Sequence, residues 1–254
     1  MFNVSRFINV DPNRPESDLE GAARVGNRVY WITSHGQNRE GEFRSSRHAF
    51  FATTVTARGE LRPAGKAYRN LLADLLRDTR LDPFNLRAAS QRPPKARNGL
   101  NIEGLGVAPG GQLLIGFRNP IPSDQALIVP LENPAEVVQG RRARFGAPLL
   151  IDLDGLGVRD IVAVPGGYLI VAGSYSGSGK NHLYRWAGGA AKPDRLGSID
   201  LGSINAEAIV TYAADSNRIQ LLSDDGTRSV GGRTCKALPD PMQRRFRSVW
   251  VDLP

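Results

Sequence analysis

The sequence predicts an all-β fold: a β-propeller of about four to five blades, forming a single domain over residues 1–254. Three observations carry this reading. One pattern recurs four times, an acidic residue opening an apolar strand, a tight turn, and a second strand ending in polar residues. The composition, with 28 Gly, 17 Pro and 41% hydrophobic residues, suits short strands joined by tight turns better than long helices. The units read as four strands in meander order, which is the plan of a propeller blade rather than of a sandwich.

The segment Met1 to Val10 is strand-like and has no blade of its own. The first unit then opens with Asp18-Leu19-Glu20-Gly21, turns at Gly26-Asn27, and continues as Val29 to Gly36 and Phe50 to Val55. An insertion follows over about residues 61–99. Within it, Lys66 to Asp78 places Leu71, Leu72, Leu75 and Leu76 at helical spacing, predicting one exposed amphipathic helix docked on the outside of the propeller. Pro83 and Pro93-Pro94 make the remainder a loop.

The second unit opens at Asn101-Ile102-Glu103-Gly104, turns at Pro109-Gly110-Gly111, and runs through Leu113 to Asn119, Ala126 to Leu131 and Pro148 to Leu153. The third opens at Val158-Arg159-Asp160, turns at Pro165-Gly166-Gly167, and runs through Tyr168 to Gly173, His182 to Trp186 and Arg195 to Leu201. The fourth opens at Asn205-Ala206-Glu207 and supplies only Arg218 to Ser223 and Arg247 to Leu253 beyond its first strand. Its missing outer strand matches the spare segment at the start of the chain. The expectation is that Met1 to Val10 pairs there and closes the ring, because closure removes exposed strand edges.

The formal charge of +8 would suit a polyanionic partner. Its distribution argues against nucleic acid, because the densest basic stretches, Arg87 to Arg97 and Arg141 to Arg144, are not interleaved with aromatics that stack on bases. Cys235 is the only cysteine, so neither an internal disulfide nor a cysteine-based zinc site can form. Residues 1–20 show neither a basic leader nor an apolar run, so a cytoplasmic protein without a membrane span is expected.

In a propeller the first strand of each blade lines the central channel, where backbones approach closely and small residues fit. Gly21, Gly104 and Ala208 suit that place. The acids Glu20, Glu103, Asp160 and Glu207 then form a ring at one mouth, joined by His35, Arg118, Asn119 and Asp224 from the ends of the second strands. Such a ring would hold a calcium-like divalent cation through oxygen ligands, or, with Arg118 and His35, orient a small polar or anionic ligand. It would equally serve blade spacing alone, each carboxylate accepting backbone N–H groups of the next blade. Histidines 35, 48 and 182 are not spaced as a metal set, and Ser34 beside His35 does not make a catalytic pair. Gly173 to Asn181 is no phosphate loop, since Asn181 stands where Ser or Thr is needed and a strand follows.

The runs Asp18-Leu19-Glu20-Gly21, Tyr30 to Gly36, Asn101 to Leu105 and Gly116 to Pro120, with Val129 to Pro134 and Leu169 to Gly173, resemble a bacterial family of unknown function, DUF3616. That resemblance implies a propeller-like fold and supplies no catalytic residue. A more distant likeness to phytase-like esterase propellers rests on the acid-Gly strands. The function expected is a ligand-binding or interaction propeller with a polar pocket at the channel mouth, with a metal-dependent hydrolase of phosphate or carboxylic esters as the alternative.

Overall fold

The structure is a computed structural model that describes residues 2–14, 16–212 and 215–254. Its strands form four consecutive antiparallel meanders, one for each predicted unit. Blade one contains β1 (Leu19–Val25), β2 (Arg28–Thr33), β3 (Phe50–Val55) and β4 (Leu61–Pro63). Blade two contains β5 (Asn101–Val107), β6 (Leu113–Asn119), β7 (Ala126–Leu131) and β8 (Leu149–Ile151). Blade three contains β9 (Gly157–Val164), β10 (Gly167–Gly173), β11 (His182–Trp186) and β12 (Asp194–Arg195). Blade four contains β13 (Ala206–Tyr212), β14 (Asp215–Ser223) and, after the small hairpin β15 (Ser229–Val230) and β16 (Arg233–Thr234), β17 (Ser248–Asp252).

The innermost strands β1, β5, β9 and β13 pack in that order, and an apolar core fills each junction between successive blades. Period-two alternation builds these cores. Ile32 and Phe50 of blade one face Leu105, Ile115 and Val129 of blade two, while Val158 and Ile161 of blade three meet Ile128 of blade two. The sheets of blades two and three thereby bury both faces, which removes the polar alternation expected of an exposed sheet, while blade four keeps Tyr212 and Trp250 exposed. The approach is close. A Cβ added to Gly104 would lie 2.6 Å from Val158 Cγ1, and one added to Gly157 would lie 2.0 Å from the carbonyl oxygen of Arg118, so only glycine lets the blades meet there.

Two expectations are corrected. The first ten residues do not close the last blade: Val4–Phe7 form a short helix, α1, capped by Asn3, and Met1 lies outside the described residues. Ile8 is fully buried with Ala49 and Phe51, and the Phe7 ring meets that of Phe51 edge-on at 5.7 Å, so the segment covers the face of blade one turned away from blade two. Phe2, Val4, Phe7, Ile8 and Val10 give the segment its apolar character, and in so short a stretch that pattern fits a helical turn as well as a strand.

The insertion is also more helical and more deeply buried than a single exposed helix. α2 (Leu71–Leu75), a 3₁₀ stretch (Thr79–Phe84) and α3 (Leu86–Ala89) follow one another, and a further turn, α4 (Pro134–Val137), lies in blade two. Leu71 and Leu75 are fully buried within the core shared by blades one and two. Asp74 anchors the segment by accepting from Tyr68 Oη and from the Ala143 backbone N–H at 3.0 Å. No helix among the described residues is long and apolar enough to cross a membrane.

Candidate functional site

Antiparallel pairing carries the starts of the inner strands and the ends of the second strands to the same mouth: Leu19 pairs with Thr33, Asn101 with Asn119, Gly157 with Gly173, and Ala206 with Ser223. Each inner strand carries a register shift at that end. The residue passed over is Glu20 in β1, Glu103 in β5, Arg159 in β9 and Glu207 in β13. A bulge leaves one residue unpaired and re-aims its side chain, so these four are the structurally equivalent positions of the mouth.

The equivalence corrects the expected ring. In blade three the position belongs to Arg159, and Asp160 stands one residue later, where the other blades have Gly21, Gly104 and Ala208. A step of one residue turns a strand side chain to the opposite face. Asp160 accordingly leaves the ring and accepts from the backbone N–H of Ile209 at 2.7 Å and of Ile161 at 2.8 Å, tying blade three to blade four. Burial raises its pKa to about 6, against the lowering effect of these two bonds.

Arg159 makes the mouth a charge network. Its guanidinium pairs with Glu207 and lies 3.5 Å from Glu103, which also accepts from Arg118 and, at 2.8 Å, from Asn101 Nδ2. Glu103, Arg118 and Arg159 are each 3% exposed, so this is a desolvated network and not a solvated rim. Arg118 Nε further donates to the carbonyl oxygen of Ser174 at 2.9 Å, crossing from blade two to blade three. Glu20 has its pKa raised well above the ordinary carboxyl range, first by burial and then by the negative charges of Glu103 and Asp18.

His35 is fully buried, and its Nδ1 lies 2.7 Å from the carbonyl oxygen of Thr33. That contact requires Nδ1 to carry the proton, leaving Nε2 as an acceptor. Burial lowers the pKa of His35 to about 4 and that of His48, whose ring is 5.7 Å away, to about 3, so both rings are neutral. A backbone bond of 2.9 Å from Ile102 N to Ser34 O brings the His35 corner against the start of β5 and hence against Asn101.

The two remaining predicted residues do not line the network directly. Asn119 is buried and its Nδ2 donates to the carbonyl oxygens of Pro94 at 2.9 Å and Ala96 at 2.7 Å, holding down the end of the insertion. Asp224 is exposed and accepts from Gly226 N in a turn, while Asp225 beside it is buried and paired with Arg247. Sequence reasoning missed Arg159, Asn101, Gln37 and His48. Alignment of the bulged positions rather than of the acids would have found Arg159.

The acids do not converge on a cation. Glu103 and Glu207 are taken up by arginines and Asp160 by backbone amides. Among the described residues no group of three or more His, Cys, Asp or Glu is placed to hold a metal ion, so the residues present do not fit the calcium-like cation expected.

Five buried side-chain polar atoms among the described residues lack a hydrogen-bond partner: His35 Nε2, Gln37 Oε1, His48 Nε2, Asn101 Oδ1 and Arg159 Nε. Asn101 Oδ1 and Arg159 Nε lie at the starts of β5 and β9, Arg159 Nε being also within 3.5 Å of Glu103 Oε2, and the other three lie in the connection from β2 to β3.

A structure from Bacteroides uniformis, provisionally described as a 6-phosphogluconolactonase, is similar at 15% identity and a TM-score of 0.36, over 80% of this chain and 48% of that one. The chain thus spans about half the length of that protein, and a likeness of this size carries no weight for activity. None of the curated proteins compared matches the chain. The family model for DUF3616, a protein family of unknown function, matches residues 52–223, which include blade two, blade three and the strands that carry Glu103, Arg118, Arg159 and Glu207. With more than half of its length matched, the chain belongs to the DUF3616 family.

Proposed function

We propose that this domain binds a small polar ligand rich in hydroxyl groups at the mouth shared by its four inner strands. The observation that supports this reading is the concentration of partnerless buried polar atoms at that mouth. A buried polar atom without a hydrogen bond costs about 1–3 kcal/mol, so these atoms favour an occupant, ligand or water, that satisfies them.

Their chemistry favours a donor-rich occupant. His35 Nε2, Gln37 Oε1 and Asn101 Oδ1 are acceptors, His48 Nε2 takes either role with its tautomer, and Arg159 Nε is a fixed donor that already lies 3.5 Å from Glu103 Oε2. Hydroxyl groups donate to the first three and accept from Arg159. A sugar, a sugar acid or a polyol has this character, and the network of Arg118, Arg159, Glu103 and Glu207 would fix its orientation. The metal-dependent hydrolase reading has no ligand set among the described residues to rest on.

The test is a thermal-shift titration with a hexose, a sugar acid and a polyol. A ligand present at a hundred times its Kd adds about 2.7 kcal/mol, or about 5–10 °C for a domain of this size. At least one class should produce that saturable rise, and Asn101→Ala should weaken it. Failure of all three classes to raise Tm in the wild-type protein would refute the reading.

A further inference from the structure

Away from the axis, a second concave site lies between the insertion and the loop that follows β6. Its cavity is about 510 Å³, within the range of small-molecule pockets. A satellite pocket of about 130 Å³ shares Arg97, Asn98, Ile121 and Asp124 with it and extends toward Asn119 and Tyr175.

The lining combines an apolar wall, two arginines and, at one edge, the single carboxylate of Asp124. Phe84, Ala88, Pro120, Ile121 and Pro122 make one wall apolar. Arg92 and Arg97 supply positive charge without a carboxylate partner: Arg92 Nη1 donates only to the carbonyl oxygen of Arg97 at 3.3 Å, and Arg97 forms no ion pair among the described residues. This contrasts with the axial arginines, each of which is already committed to a glutamate. The basic stretch in the sequence thus contributes two guanidinium groups to one concavity.

The walls are held in place. Asn119 pins the backbone at Pro94 and Ala96, and the buried Leu86 and Ala89 fix α3 beneath Ala88. Asn85, Asn98, Ser123 and Asp124, all on the lining, have φ between 51° and 58°, in the left-handed region that non-glycine residues seldom occupy. A backbone kept in sparse conformations by its surroundings is found disproportionately at ligand sites.

We propose that this cleft binds a small organic anion with an apolar or aromatic body, its carboxylate or phosphate held by Arg92 and Arg97 and its body laid against Phe84 and Pro122. The guanidinium fork matches the oxygens of either head group, and the apolar wall discriminates against a bare inorganic anion. The site is separate from the axial one and requires none of its residues.

Calorimetric titration with phenyl phosphate and with benzoate tests the proposal, with phenol and inorganic phosphate as the two halves of the probe. Expected is binding of at least one aromatic anion at one site per chain, with both halves about tenfold or more weaker. Arg97→Ala and Arg92→Ala should each weaken binding by about tenfold, and Phe84→Ala should weaken it while leaving inorganic phosphate unaffected. The preferred head group distinguishes a carboxylate ligand from a phosphate ester. Both arginines are exposed, so their variants should retain the wild-type Tm. Absence of binding by either aromatic anion to the wild-type protein, or affinities unchanged in both arginine variants, would overturn the proposal.

Discussion

Replacing Glu103 by alanine removes the carboxylate shared by Arg118 and Arg159, at a point where all three residues are 3% exposed. Arg159 would keep Glu207 and Arg118 would keep the carbonyl oxygen of Ser174, but Asn101 Nδ2 would lose its acceptor and two buried positive charges would face each other. Breaking a buried pair by deleting one partner costs about 3–5 kcal/mol. At about 2–4 °C per kcal/mol for a domain of this size, Tm should fall by roughly 6–20 °C. The exposed pair Arg144–Glu136 is the internal control, since solvent screens it and its loss should leave Tm close to that of the wild type. Because a buried ion pair is offset by its own desolvation, Glu103→Met combined with Arg118→Met should recover much of the loss. Thermal denaturation followed by circular dichroism reads Glu103→Ala, the control, and the four corners of the Glu103→Met/Arg118→Met cycle. A Glu103→Ala protein within about 2 °C of wild type, or a double variant no better than the worse single one, would refute the account of the mouth as a desolvated network.

Three further outcomes follow from the junctions and the buried titratable groups. Asp160→Ala should cost about 1–3 kcal/mol in urea unfolding by leaving the Ile209 N–H without an acceptor; the folded pKa of Asp160, near 6, lies above the ordinary 3.8, so its protonation favours the fold as pH falls from 6 toward 4, and Asp160→Asn should remove that contribution. His48 has the opposite sign: with a folded pKa near 3 against 6.5, it takes up its proton first in the unfolded chain, so its contribution to stability is lost as pH falls below 6.5, and His48→Gln should lose less stability than wild type between pH 7 and 5. Gly157→Ala should lower stability by more than about 1 kcal/mol, because the new methyl group would meet the backbone of Arg118 at 2.0 Å and force blades two and three apart.

The blades were legible because their physics is local. Alternation, Gly-containing turns and the repeated acid at the head of each inner strand are patterns within a dozen residues, and they place β2, β3, β5, β6, β7, β10 and β11 nearly residue for residue. The mouth was legible to the extent that antiparallel pairing brings strand starts and strand ends together, which is why Glu20, His35, Glu103, Arg118 and Glu207 meet there. What pattern did not show is a register detail: the bulge selects Arg159 instead of Asp160, and only pairing across the sheet reveals it. The packing of residues 2–10 on Phe51, and of Leu71 and Leu75 between two blades, depends on contacts distant in sequence that no local periodicity encodes.

Ligand binding at the axial mouth is tested most directly by the electron density there in a crystal of the protein soaked with the hydroxyl-bearing compound that raises its Tm most. Density for that compound is expected to be hydrogen-bonded to His35 Nε2 and Asn101 Oδ1 and within reach of Arg159 Nε, with Glu103 still paired to Arg118. Density showing these atoms satisfied by other protein side chains, with the compound bound elsewhere, would contradict binding at this mouth.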